Sequence, residues 1–399
     1  MPEQAKLLPL QFRVLYHQFL LRVVDLESLS IQADIPRFLG QFASVLIFIS
    51  LMGARGPLMS HETLSATREA ALSFAWRGEQ SLISGMMLVV GLVAVISWDS
   101  TFPDRRDVMI LSPLPVAPHT ILFAKVAASS ALLGLAVLTL NFATGITWPL
   151  LIGSQHDSNW GFLQAFPAYW FTMIAASLFV YGSVLTVQGF TALLLSRRLF
   201  LRVSAILQMV AFGLFLGVYF LQPSIVTPAA MALPENQGVL AWSPSFWFFA
   251  LFNQLNGSLP EALGWLARRG WIGLAVVVFG AIASLLLCYM RTMKKTVEEP
   301  DLVPAASGWH WAMGFGSSMQ TAIMLFGARS LVRSRQHRLA SALYLALIFS
   351  VALSLLRSNL SNAGPRPLNA DFLTGTFPDD ELRGLRSPQR FFAAHFSHC

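Results

Sequence analysis

Long apolar runs broken by short polar stretches organise this chain. Seven runs stand out, at about 35–52, 81–98, 121–143, 168–195, 203–221, 271–290 and 340–356. A helix rises about 1.5 Å per residue, so roughly 20 apolar residues cross a hydrocarbon core. The pattern predicts an all-α integral membrane protein, a polytopic helical bundle of about seven spans. Ahead of the first run, Leu8, Phe12, Leu15, Phe19, Val23 and Leu26 recur at helical spacing. Arg13, His17, Arg22 and Asp25 fall on other faces. Residues 1–34 therefore read as an amphipathic helical region, either lying in the membrane interface or packed on its own chain.

The longest interruption before the sixth run is 222–269. Pro223, Pro228 and Pro234 break its first part, and Phe246, Trp247, Phe248, Phe249 and Phe252 cluster after them. Aromatic residues favour the water–lipid boundary. Ser258-Leu-Pro-Glu261 resembles a capping box, so this stretch reads either as interfacial or re-entrant helices or as an extracytoplasmic loop packed on the bundle. A basic segment with Arg291, Lys294, Lys295, Arg329, Arg333, Arg335 and Arg338 follows the sixth run, with a surface-lying apolar patch around Trp311 to Phe326. Residues 35–357 thus form the membrane domain. Residues 358–399 are a polar tail, and the loss of apolar periodicity after Leu356 suggests truncation or an altered reading frame.

Between the second and third runs lies a different kind of segment, 99–120. A charged cluster, Asp104, Arg105, Arg106 and Asp107, opens a short amphipathic stretch from Val108 to Leu111. Pro113, Pro115 and Pro118 then break it. Proline lacks a backbone donor and disfavours helix in the residue before it, so the short helix must stop there. The expected product is a stiff, charged knuckle joined to two membrane helices. An ordinary polar loop remains the plainer reading of the same residues.

Composition narrows the function. The chain is 55% hydrophobic and 12% charged. Soluble domains carry about 25% charged residues, so a membrane protein is again indicated. The formal net charge of +7 is explained by basic residues beside apolar runs, not by nucleic-acid binding. With a cytoplasmic N-terminus, the knuckle, the Arg197–Arg202 turn and the Arg291–Arg338 segment all fall inside, as the positive-inside rule requires. Cys288 and Cys399 offer no disulfide framework, and His395, His398 and Cys399 are a weak metal signal. Lys6, Lys125, Lys294 and Lys295 are the lysines, and none follows a glycine. A Walker-type phosphate loop is therefore absent, no cofactor is expected, and any ATP would be hydrolysed by another polypeptide. Asn141, Gln188 and Gln208 are the notable polar residues of the spans, suited to bonds between helices. The spans hold no ionisable residue near mid-depth, which disfavours a secondary transporter. His61, Glu62, His156 and Asp157 are loose candidates for a lipid-directed membrane enzyme. Gly213-x-x-x-Gly217 and Gly280-x-x-x-Ser284 are spaced for close helix approach, within the subunit or across a dimer.

The knuckle resembles the membrane subunits (permeases) of type-2 ABC exporters. Asp104-Arg105-Arg106-Asp107, the short helix to Leu111, Ser112-Pro113-Leu114-Pro115-Val116-Ala117-Pro118 and a third span carrying Ala124-Lys125 match that family's pattern. The resemblance implies a coupling helix docked on a separate ATP-binding subunit, with Asp104, Arg105, Arg106, Asp107, Val108 and Leu111 as docking residues. It also implies a homodimer or heterodimer with a second permease in the cytoplasmic membrane. The family core has six spans, one fewer than counted here.

Overall fold

The computed structural model describes residues 11–20, 35–59, 68–98, 118–153, 159–222, 226–298, 318–333, 341, 344–345 and 347–356. Every extended element among them is a helix. They are α1 (11–20), α2 (Ile35–Met59), α3 (Arg68–Ile96), α4 (Pro118–Leu140), α5 (Thr144–Gly153), α6 (Asn159–Leu194) and α7 (Arg197–Phe220). Then follow α8 (Pro228–Ala232), α9 (Gln237–Trp242), α10 (Pro244–Leu255), α11 (Gly264–Glu298), α12 (Ser318–Arg333) and α13 (347–356). Residues 1–350 form one compact unit and 351–399 another.

Four stretches are long and apolar enough to cross a membrane: Ser73–Ile96, Thr120–Leu140, Leu163–Leu194 and Glu261–Leu287. The other three predicted runs fall on shorter apolar helices, Leu39–Arg55, Ile206–Phe220 and Leu347–Leu356. This is a helical membrane protein. Helices also extend well beyond the predicted apolar limits. α3 begins at Arg68 rather than near 81, because Arg, Glu, Gln and Ala are good helix formers and continue the helix outside the apolar window. The Arg197–Arg202 turn is likewise the start of α7.

α3 and α6 are the central elements. α3 packs on α4, α6, α7 and α10, while α6 packs on α3, α5, α10 and α11. The seam between α6 and α11 is built on small residues. A Cβ added at Gly189 of α6 would lie 2.1 Å from Ser284 Oγ, and one at Gly280 of α11 would lie 2.9 Å from Thr186 Cγ2. Ser284 Oγ also donates to the Leu185 carbonyl at 3.1 Å. The Gly280/Ser284 spacing therefore does bring two helices together. Away from this seam α11 presents Val276, Phe279, Ile282 and Leu286 outward, a face suited to lipid.

The 222–269 region holds the most deeply buried aromatics. Phe246, Phe248 and Phe249 of α10 are fully buried and Phe252 nearly so. Aromatic packing joins α10 to α3 through Trp76–Phe249 and to α6 through Tyr169–Phe252 and Phe179–Phe248. The cluster is part of the protein core. Adjacent residues Glu79 and Gln80 of α3 bond Asn253 and Ser245 of α10, eight positions apart, or about 12 Å along a helix. α3, α6 and α11 all pack on α10 and cover its aromatic residues.

The expected capping box at Ser258 does not form. Ser258 Oγ donates to Asn253 Oδ1 at 2.9 Å, and Pro260 rather than Ser258 precedes the short helical turn Glu261–Leu263. Ser258 closes the previous helix instead. Its N–H reaches the Asn253 carbonyl at 2.9 Å, and the Gly257 N–H reaches the Gln254 carbonyl at 3.2 Å. This is a Schellman closure, and it requires the left-handed Gly257, φ 75°. At the other terminus, α1 packs on its own chain: Leu15 and Phe19 are buried with Ile121, Ala124 and Ala128 of α4.

Candidate coupling site

Of the predicted docking residues, Asp104, Arg105, Arg106, Asp107, Val108, Leu111, Pro113 and Pro115 lie outside the described residues, as do His61, Glu62, His156 and Asp157. Pro118 opens α4, where its missing N–H costs nothing. The two flanks of the segment are described, and both are firmly held.

On the leading flank the chain leaves α3 at Trp98, whose side chain is fully buried. A helix end leaves its last carbonyls without intrahelical partners. Here side chains from two other helices supply the donors. Gln188 Nε2 of α6 donates to the Trp98 carbonyl. Gln208 Nε2 of α7 donates to the Val95 carbonyl at 2.8 Å. The Trp98 indole N–H in turn donates to Ser204 Oγ of α7 at 2.8 Å. Sequence reasoning named Gln188 and Gln208 as residues for bonds between helices; their common target, the end of α3, carries no sequence signal.

On the trailing flank, Lys125 sits 7 residues beyond Pro118 in α4 and is buried. Its ammonium lies 5.3 Å from the centre of the Phe19 ring of α1, within cation–π range. The α1 helix thus braces the start of α4.

A second polar cluster lies near the middle of α3, at Glu79 and Gln80. Glu79 is buried, although the sequence pattern puts it in a loop before the second span. Its carboxylate accepts from Asn253 Nδ2 at 3.1 Å, and beside it Gln80 Nε2 donates to Ser245 Oγ at 2.8 Å. Glu79 is thus an ionisable residue inside the candidate span Ser73–Ile96, toward its start rather than near mid-depth. The helical phase of Ser73–Trp76–Gln80–Ile83, continued backwards from the apolar run, is the signal that would have found it. Nearby, Asn141 accepts from Tyr169 Oη at 2.9 Å and donates to the Val137 carbonyl at 2.8 Å. Ser50 Oγ of α2 accepts from the Ala143 and Thr144 N–H groups at 3.0 and 3.2 Å, which bridges the break between α4 and α5.

Among the described residues Gly213 and Gly217 bring nothing together. A Cβ built on either meets no atom within 4 Å, so the close approach is made at Gly189 and Gly280 and not on α7. Among the described residues no group of three or more His, Cys, Asp or Glu could hold a metal ion. Comparison of the chain with family models, curated proteins and solved structures finds no match.

Proposed function

We propose that the chain is the membrane-spanning permease subunit of an ATP-binding-cassette export system, driven by a separate ATP-binding subunit docked at 104–118. The observation that carries this reading is the clamped exit of α3 at Trp98. A charged, proline-stiffened segment can transmit force only if its ends cannot slip, and here the leading end is bonded to two further helices. In this reading the four long apolar helices and three shorter ones make seven spans, the N-terminus and the knuckle are cytoplasmic, and two permease copies or a pair of different permeases form the pathway. Asp104, Arg105, Arg106 and Asp107 make charged contacts with the ATPase.

Arg105→Glu with Arg106→Glu tests the docking role. In mild detergent the wild-type chain brings a stoichiometric ATP-binding subunit with it. The double variant inserts normally but loses that subunit and its coupled ATP hydrolysis. Unchanged coupling in the variant overturns the role.

A second reading, an ATP-independent secondary transporter, is favoured by one observation: the buried Glu79, which has no ion-pair partner among the described residues. Buried ionisable residues in spans commonly mark ion pathways. In that case the chain purifies alone, and Glu79→Gln abolishes ion-driven transport without unfolding the protein.

A further inference from the structure

We propose that Trp98, Gln188, Ser204 and Gln208 form a transmission pad, through which movement of the 99–117 segment is passed to α6 and α7 together. The inference rests on the reading of that segment as the ATPase contact and names the residues that would carry its motion onward.

The argument starts from where the bonds go. The Ser97 hydroxyl stays with the Val93 and Ala94 carbonyls of its own helix, but three other polar groups at the end of α3 are held by other helices. The Trp98 carbonyl is held by α6, and the indole N–H and the Val95 carbonyl by α7. A push on residue 99 cannot therefore slide α3 by itself without breaking bonds in a buried site, where a lost partner costs about 1–3 kcal/mol. The grip is also well placed. α6 ends at Leu194 and α7 starts at Arg197, so Gln188 and Ser204 lie on the two arms of one hairpin close to its turn. Displacing Trp98 moves both arms at once.

α6 then carries the displacement across the protein. Its other half meets α10 through Tyr169–Phe252 and the Gln164 bond to the Leu255 carbonyl at 2.6 Å. From Gln188 to Gln164 is about 36 Å of helix. α6 is one continuous helix from Asn159 to Leu194, with Pro167 between Gln164 and Tyr169, and it links the pad to the aromatic core of the 222–269 region.

The pad also contains an unfilled position. Gln188 is buried, and its Oε1 has no hydrogen-bond partner. Buried unpartnered oxygens are rare and raise the energy of the state that contains them. A rearrangement of the pad that brings a donor to this oxygen would relieve that cost.

The test uses the full chain in complex with its ATP-binding subunit, with Cys288 and Cys399 replaced by serine. Nitroxide labels go on Leu163 at the far end of α6 and Val239 in α9, both exposed, and the labelled chain is diluted with unlabelled chain. ATP with vanadate closes the ATPase pair, and pulsed electron resonance reads the distance between the labels. Wild type shifts that distance. Gln188→Met with Gln208→Met, which keeps volume and removes both donors, traps vanadate to the same extent but loses the shift. Trp98→Phe, which keeps the packing and removes only the indole donor, gives an intermediate shift and covers the case in which the double variant does not fold. A full shift in both variants with equal trapping, or no shift in wild type, overturns the pad while leaving the docked ATPase in place. Failure of any ATPase to accompany the wild-type chain is read before nucleotide is added; it removes the permease reading, and the pad with it.

Discussion

At the scale of single residues, small side chains and buried polar ones carry most of the specificity. Gly189 has no room for a Cβ against Ser284, whereas Gly213 has open space. Overpacking a tight site costs about 1–3 kcal/mol. Gly189→Val is therefore expected to lower the melting temperature in detergent clearly, and Gly213→Ala to leave it unchanged or slightly raised, as a Gly→Ala change in a helix often does. Equal losses at both sites would contradict the placement of the close helix contact. Asn253 makes the complementary case. Its Nδ2 is the observed donor to the Glu79 carboxylate, so Asn253→Leu strands a buried carboxyl and costs about 1–3 kcal/mol or more. Adding Glu79→Leu removes the stranded group, and the double variant should be more stable than Asn253→Leu alone. A thermal-denaturation double-mutant cycle checks this, and additive losses would count against the bond. The polar identities of Asn141, Gln188 and Gln208 made them legible in the sequence as bonds between helices. Their partners were not, because a backbone carbonyl left open at a helix end looks the same in sequence as any other.

At the scale of elements, the apolar pattern located the membrane helices well and their ends poorly. Hydropathy marks where lipid begins. It says little about how far a helix continues into water, and the good helix formers before Ser73 and after Leu287 extend α3 and α11 past the apolar windows. The aromatic run 246–252 was legible as special, and of its two readings packing on the bundle is the one that its burial favours. Its burial depends on α3, α6 and α11 packing on α10, a long-range arrangement that no local pattern encodes. The end of α10 depends on one residue, Gly257, in the left-handed region. A β-branched side chain there costs about 1–2 kcal/mol, and asparagine costs less. Gly257→Val should lower stability and loosen α10, seen as faster hydrogen exchange at Phe252 to Leu255, whereas Gly257→Asn should be tolerated. Identical behaviour of the two variants would show that the closure is not what holds this end.

At the scale of the whole molecule, the chain is built around α3, with one polar cluster near its middle and another at its exit. One cluster fastens α10 through Glu79 and Gln80; the other fastens the exit at Trp98 through Gln188, Ser204 and Gln208. Helical class and membrane character follow from composition and periodicity alone. The proposed coupling role rests on a short charged, proline-rich motif whose recognised partner is another protein, and so no feature within one chain can express it fully. What the fold adds is the pair of braced flanks, Trp98 on one side and Lys125 with α1 on the other. Purification of the intact chain from its native membrane in mild detergent, with identification of what accompanies it, tests the central claim most directly. The account predicts a stoichiometric ATP-binding subunit that is lost from the Arg105→Glu, Arg106→Glu variant. A stable chain that purifies without any ATPase would contradict it.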